Sequence, residues 1–199
     1  MTIMSHREKF FFVHVEKAAG MSMVKFLKRN TSDPLHFKDS RYRGPFQGNG
    51  GITAQQYIDQ FGEDMWNKYY SFCFVRNPWD RLTSWYSYWR SDSPSKTSFS
   101  QWLFMFADKY HLDQANYFMS KEQKILVDFI GKYENLNNDF NIVCDHLGIK
   151  SKALPHLNQS KKRKSHYSEY YTPETVEYVR ELCKKDIELF DYKFEDKRE

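Results

Sequence analysis

The stretch Phe10-Phe11-Phe12-Val13-His14-Val15-Glu16-Lys17-Ala18-Ala19-Gly20-Met21-Ser22 decides the fold class. Its first six residues form an apolar run of strand-forming types, with charge before it and Glu16-Lys17 after it, which reads as a buried strand. Beyond the run, Gly20, Met23, Val24 and Leu27 recur at helical spacing, so a helix is predicted from Met21 or Ser22. Strand, tight loop and helix therefore follow in immediate succession. N–H groups at a helix start are unpaired and sit at the positive end of the helix dipole, where they bind phosphate-like anions. The small residues Ala18, Ala19 and Gly20 let a ligand approach the backbone, Gly20 is expected to permit the turn, and Lys17 adds a mobile charge. Taken alone, the loop is either such a cradle or a plain connection with a surface lysine. The lysine precedes the glycine, so this is not a Walker A motif.

A second strand is predicted over Tyr70–Val75, ending at Arg76-Asn77-Pro78. Pro78 suits the first turn of a helix, and Leu82, Trp85, Tyr86 and Trp89 mark its apolar stripe, with Ser84 roughly opposite. Arg76 and Ser84 can serve one phosphate as a charged fork and a hydroxyl. The plainer alternative pairs Arg76 with an acid, lets Asp80 cap its own helix and leaves Ser84 solvated. Val127–Tyr133 reads as a third strand, followed by a helix from Glu134 to His146 or Leu147. Other helices are predicted over Thr53–Phe61, Ser98–Tyr110 and Gln114–Ser120. A last one opens at Thr172-Pro173-Glu174, with Val176, Val179, Cys183, Ile187 and Phe190 as its buried face. Met1–Lys9 is assigned no element, Asn30–Gly51 is irregular, and Lys150–Tyr171 is polar around the basic run 161–164. Alternating strands and helices indicate an α/β fold, with both candidate loops at the C-terminal ends of strands, where open α/β sheets bind ligands.

The 199 residues amount to one domain, and 40% hydrophobic with 28% charged residues excludes a disordered chain. Three cysteines, Cys73, Cys144 and Cys183, form no spaced pair, which points to a reducing, cytoplasmic home. A net charge of +4 fits an anionic ligand and is too weak to demand nucleic acid. No apolar stretch is long enough for a signal peptide or a membrane span.

With both loops in view, the chain resembles the sulfotransferases that use 3′-phosphoadenosine 5′-phosphosulfate (PAPS), most closely the branch that includes carbohydrate sulfotransferases. Phe12–Ser22 is similar to that family's 5′-phosphosulfate loop, and Phe74–Tyr86 to its 3′-phosphate site. Phe129–Phe140 resembles its third signature, Leu154–Ser160 the start of its basic closing loop, and Asp186–Tyr192 its ending. The resemblance spans residues 10 to 195. It implies a P-loop-like three-layer domain over 1–199 with a central, mainly parallel sheet. Within it lie a phosphosulfate loop at 16–22, a 3′-phosphate site at 76–84 and a closing loop at 154–171.

Residue by residue, the resemblance implies that Lys17 stabilises charge on the leaving 5′-phosphate. Ala18, Ala19, Gly20, Met21 and Ser22 would hold the phosphosulfate, and Arg76 and Ser84 the 3′-phosphate. Tyr133 would contact the adenine, while Ser160, Lys162 and Arg163 would close over the 3′-phosphate. The reaction is sulfuryl transfer from PAPS to an acceptor hydroxyl on a carbohydrate, leaving PAP. No metal is expected, and no ligand cluster at metal spacing is visible. The acceptor pocket is expected from the loops Asn30–Gly51 and Trp89–Thr97.

A general base is also required. Several relatives carry a histidine before a Thr-Ala pair, but this sequence reads Gly50-Gly51-Ile52-Thr53-Ala54. His36 is the first candidate, Glu16, where relatives usually have proline, the second, and His14 the third. Two competing functions follow from the residues alone. A nucleotide kinase would need a lysine after the glycines. An anion- or nucleic-acid-binding module built on Lys161–Lys164 would leave Arg76 and Ser84 unexplained.

Overall fold

The phenylalanine run lies at the centre of a sheet. The computed structural model describes residues 2–37, 52–92, 96–107, 112–150, 154 and 165–198. In chain order these form β1 (Thr2–Ser5), β2 (Phe10–Val13), α1 (Gly20–Asn30), β3 (Leu35–Phe37), α2 (Ala54–Phe61), α3 (Glu63–Trp66) and β4 (Tyr70–Val75). There follow α4 (Pro78–Asp92), α5 (Phe99–Ala107), α6 (Ala115–Phe118), β5 (Phe129–Lys132), α7 (Leu136–His146), α8 (Pro173–Leu182) and α9 (Lys184–Phe190). Short 3-10 turns stand at Tyr133–Asn135 and Tyr167–Tyr170. The chain forms two compact units, Met1–Val75 with Asn116–Leu157, and Arg76–Ala115 with Asn158–Glu199.

The first unit holds the sheet, in strand order β3-β1-β2-β4-β5. β2, β4 and β5 pair in parallel, while β1 runs antiparallel to both β2 and β3. Four strands therefore share one direction, as the mainly parallel expectation requires. The period of two sorts the run Phe10-Phe11-Phe12 between opposite faces. On one face the Phe10 and Phe12 rings lie 5.9 and 5.2 Å from Phe72. Phe26 of α1 and Phe74 of β4 both meet Phe140 of α7 there, at 5.1 and 6.3 Å. On the other face Phe11 meets Tyr57 of α2 at 4.9 Å and Trp66 of α3 at 5.1 Å. All three phenylalanines are buried. Each contributes about 1.5–3 kcal/mol of transfer free energy, so the run fixes a three-layer packing.

β5 accepts Phe74 because its opposite residue is Gly131: a Cβ there would stand 2.3 Å from Phe74 Cε1. Two strands depart from the sequence reading. Thr2–Ser5, given no element, is β1, with Ile3 and Met4 both fully buried. Leu35–Phe37, inside the stretch read as irregular, is β3, and His36 pairs with Ile3 through the backbone. Thr2–Ser5 mixes polar and apolar residues and Leu35–Phe37 spans only three positions, so neither shows the unbroken apolar run that marks Phe10–Val13.

The turn between β1 and β2 is tied to the segment after α1. Asp33 accepts the His6 and Arg7 N–H groups, and Glu8 accepts the Ser32 N–H at 3.0 Å. The Ser5 hydroxyl stands between these two carboxylates. The Ser5 hydrogen bond, with the His6 and Arg7 N–H groups, lowers the Asp33 pKa from 3.8. Burial pushes Glu8 up, but hydrogen bonds from Ser5 and Ser32 outweigh it and leave the group below 4.5. Depressed carboxylates stabilise the fold above their unfolded pKa values, and that contribution is lost as pH falls through the folded ones. The urea midpoint should therefore drop as pH is lowered from about 5. The double variant Glu8→Gln/Asp33→Asn should show a shallower fall; an unchanged slope would remove these two groups from the acid transition.

The second unit is built on aromatic contacts. Tyr86 of α4 meets Phe99 at 5.4 Å and Trp102 at 5.6 Å, both on α5, and its hydroxyl donates to the Thr97 carbonyl at 2.8 Å. Thr172 caps α8 in a capping box with Thr175, and Pro173 occupies the first turn, as the sequence signals. The predicted last helix is interrupted at Cys183 (φ −112, ψ 28) and resumes as α9. In consequence Asp186 is fully buried, whereas Ile187 and Phe190, predicted on the buried face, are half-buried.

Candidate functional site

Past Val13 the chain enters the loop that joins β2 to α1. His14 is buried with its ring stacked on Phe12 at 5.8 Å. It occupies the space beside Gly20, where a Cβ would fall 2.0 Å from His14 Cδ2 and 2.1 Å from Nε2. The expectation that Gly20 makes the turn is thus corrected. Gly20 is the first helical residue, and it provides room for the imidazole. The left-handed positions are Lys17 (φ 66) and Ala19 (φ 63). Non-glycine residues held there cost about 1–3 kcal/mol each, a strain that concentrates at functional loops. Left-handed residues interleaved in a loop are the backbone type from which anion-binding concavities are built. Ala19 is the N-cap of α1, and its carbonyl accepts from Ser22 N at 2.9 Å and Met23 N at 3.3 Å. No side chain caps this helix through Ala19 and no acid stands in its first turn, a start that favours an anion at the positive dipole end. Lys17 and Ala19 are half-buried, Glu16, Ala18 and Ser22 buried, and Met21 exposed.

The second loop leaves β4 at Arg76. Its Nε donates to Asp80 Oδ2 at 2.7 Å and Nη2 lies 2.6 Å from the same oxygen, so the pairing with an acid is real. It fixes the plane of a buried guanidinium. The helix cap belongs to Asn77, not Asp80: Asn77 Oδ1 accepts from Trp79 N at 3.1 Å, and its Nδ2 donates to the Lys193 carbonyl at 2.9 Å. An Asn directly before a Pro at N1 is the sequence signal for that cap. Ser84 lies half-buried on α4, between the buried Thr83 and Trp85.

Sequence reasoning missed what holds Arg76. The side chain of Gln114 accepts from Arg76 N at 2.9 Å and donates to Arg76 O at 2.8 Å. Asp186 accepts from Gln114 N at 2.8 Å, Ala115 N at 2.9 Å and Gln114 Nε2 at 3.1 Å. Burial pushes the Asp186 carboxyl up, against the opposing pull of these donors and of Arg81. Arg81 is itself buried, donating to the Leu112 carbonyl at 2.6 Å with its guanidinium over the Trp85 ring. Gln114 and Asp186 stand 72 residues apart, and no local pattern links them.

The remaining candidates are dispersed. Tyr133 opens the 3-10 turn after β5 and is half-buried, and the preceding Lys132 N–H donates to Asp139 at 2.6 Å. His36 sits in β3, the outermost strand beside β1. Ser160, Lys162 and Arg163 lie outside the described residues, as do 38–51 and 93–95 of the expected acceptor loops. Among the described residues no three His, Cys, Asp or Glu side chains cluster as a metal site, and no helix is long and apolar enough to cross a membrane.

Comparisons agree with this architecture. An uncharacterized protein of Archaeoglobus fulgidus is 32% identical over 115 residues, covering 54% of this chain and 91% of that protein. The fold is similar to that of mouse sulfotransferase SULT7A1, solved in complex with PAP, with a TM-score of 0.56 and 13% identity. That match covers 94% of this chain and 87% of the mouse chain. The model of the Sulfotransferase family matches residues 1–193, from β1 to beyond α9, and the chain belongs to that family.

Proposed function

We propose that the chain transfers the sulfuryl group of PAPS to a hydroxyl of a carbohydrate. The observation that carries this reading is the loop 17–22, where left-handed Lys17 and Ala19 precede an uncapped helix start. The family match and the PAP held by the structurally similar mouse enzyme support it. The acceptor oxygen attacks sulfur in line, the bond from sulfur to the 5′-phosphate oxygen breaks, and PAP leaves with that electron pair. Such a transfer needs positioning and charge neutralisation more than covalent participation by the protein. Lys17 and the N–H groups of Ala18 to Ser22 receive the charge that builds on the leaving phosphate. Arg76 and Ser84 bind the 3′-phosphate, with Ser160, Lys162 and Arg163 closing over it, and Tyr133 contacts the adenine. The hydroxyl proton passes to His36 or Glu16, in that order of preference. Residues 1–199 act as one catalytic domain in the cytoplasm, a reducing compartment that suits the three buried free thiols.

The test is calorimetric titration with PAP, 5′-AMP and ATP plus Mg²⁺. The wild-type protein should prefer PAP, and Arg76→Ala should lose about 1.5–3 kcal/mol of that preference over AMP, the scale of a charge-assisted hydrogen bond. Equal affinity of the wild type for PAP and ATP would overturn the proposal. His36→Ala and Glu16→Gln, compared for turnover at saturating PAPS, then separate the two bases.

A further inference from the structure

Arg76 lies one residue beyond the last pair of the β4–β5 ladder, Val75 with Lys132. A backbone that leaves a sheet and turns into a helix loses its strand partner, and a buried N–H or C=O without one is costly. At Arg76 both groups are taken by one side chain: Gln114 Oε1 accepts the N–H at 2.9 Å, and Gln114 Nε2 donates to the C=O at 2.8 Å. A primary carboxamide offers the same donor and acceptor edge as a neighbouring peptide, so Gln114 replaces the missing strand for a single residue.

That replacement works in only one orientation of the carboxamide, because a flip sets Nε2 against the Arg76 N–H. Asp186 enforces the orientation. Its Oδ2 accepts the second hydrogen of Nε2 at 3.1 Å and the Gln114 N–H at 2.8 Å, while Oδ1 accepts the Ala115 N–H at 2.9 Å. Flipped, the amide would present Oε1 to a carboxylate. Gln114 and Asp186 are fully buried, so neither exchanges partners with water. On the far side of Arg76, Asn77 caps α4 through Trp79 N, and Asp80 holds the guanidinium. The Arg76 backbone is thus clamped before and after its side chain leaves it.

We infer that Gln114, oriented by Asp186, is a positioning residue that aims the Arg76 guanidinium and thereby sets the discrimination between 3′-phosphorylated and 3′-unphosphorylated adenine nucleotides. This rests on the function proposed above, in which Arg76 binds the 3′-phosphate. A group that only stabilises the fold would weaken all nucleotides together. A positioning group acts on the contact that a single phosphate makes.

The measurement is the ratio of Kd for 5′-AMP to Kd for PAP, by calorimetry, in the wild type, Gln114→Leu, Asp186→Asn, Arg76→Ala and Gln114→Leu/Arg76→Ala. The ratio should fall about tenfold or more in Gln114→Leu, the scale of one charge-assisted hydrogen bond to the 3′-phosphate. It should fall in the same direction in Asp186→Asn, whose carboxamide keeps the core volume but turns a donor toward the N–H groups. Should Gln114→Leu not fold, the isosteric Asp186→Asn carries the comparison alone. In the Arg76→Ala background the Gln114 substitution should change the ratio by less than about twofold, since nothing remains to be aimed. A ratio preserved in folded Gln114→Leu or Asp186→Asn, or a full additional loss in the double variant, overturns this inference and leaves the PAPS reading standing. A wild-type protein with no preference for PAP over AMP overturns that reading, and this inference with it.

Discussion

Lys17→Met should lower kcat by about 10²- to 10³-fold, the loss found when one preorganised group facing a developing charge is removed. The physical basis is the loop itself. Lys17 is half-buried in a left-handed conformation, which directs its side chain away from the course that β2 or α1 would give it. In the transfer proposed above, its charge matters most when the bond to sulfur has stretched and the 5′-phosphate oxygen carries the electron pair, so the expected effect belongs to kcat more than to PAPS affinity. The rate to follow is PAP formation from PAPS with the acceptor that supports turnover, water included. Lys17→Gly separates charge from backbone: glycine accepts φ 66 without strain, so it should match Met in lost turnover yet unfold at higher urea. A Lys17→Met protein within threefold of wild type would remove the lysine from the chemistry.

Gly20→Ala should cost about 3 kcal/mol of stability, the upper range for overpacking a filled site. The new methyl would meet the imidazole of His14 at 2.0 and 2.1 Å. That ring is trapped between Phe12 and the first residue of α1, so it has little room to yield. Pairing the change with His14→Ala gives the diagnostic comparison. If the clash is the cause, the double variant should be more stable than the sum of the two single losses by at least about 1 kcal/mol. Strict additivity in urea unfolding would place the cost elsewhere.

Gly20 also shows where sequence reasoning stops. A glycine between a strand and a helix signals a turn, yet two non-glycine residues make this turn, and the glycine is set by a histidine six positions earlier. The strand–loop–helix order is legible in the sequence while the reason for the glycine is not, because φ values and ring contacts are tertiary quantities. Tyr70–Val75 was legible to the residue, since a full strand is followed at once by Asn77-Pro78, a cap and a helix start. The same Asn-Pro signal points to a cap on Asn77, which the plainer alternative, a cap by Asp80, overlooks. β1 and β3 were illegible for another reason: Thr2–Ser5 and Leu35–Phe37 are strands only because neighbours supply their hydrogen bonds. Lys17, Arg76 and Ser84, to which the proposed function assigns the chemistry, sit in local motifs that a sequence displays. Gln114 and Asp186 do not, because each is an ordinary polar residue until the fold brings it to the other.

The 72-residue span between Gln114 and Asp186 has a consequence for how the protein is made. A chain emerging from the ribosome has Arg76, Asn77 and Asp80 in hand long before Asp186 is synthesised. Until α9 arrives, the Gln114 carboxamide has no anion to orient it, and the corner at Arg76 lacks its clamp. Contacts of such long sequence separation form late, because closing the loop costs entropy before the contact repays it. If Arg76 binds the 3′-phosphate as proposed, that affinity is acquired in the closing stage of biosynthesis, and nascent chains stalled before Asp186 should be unable to distinguish PAP from AMP.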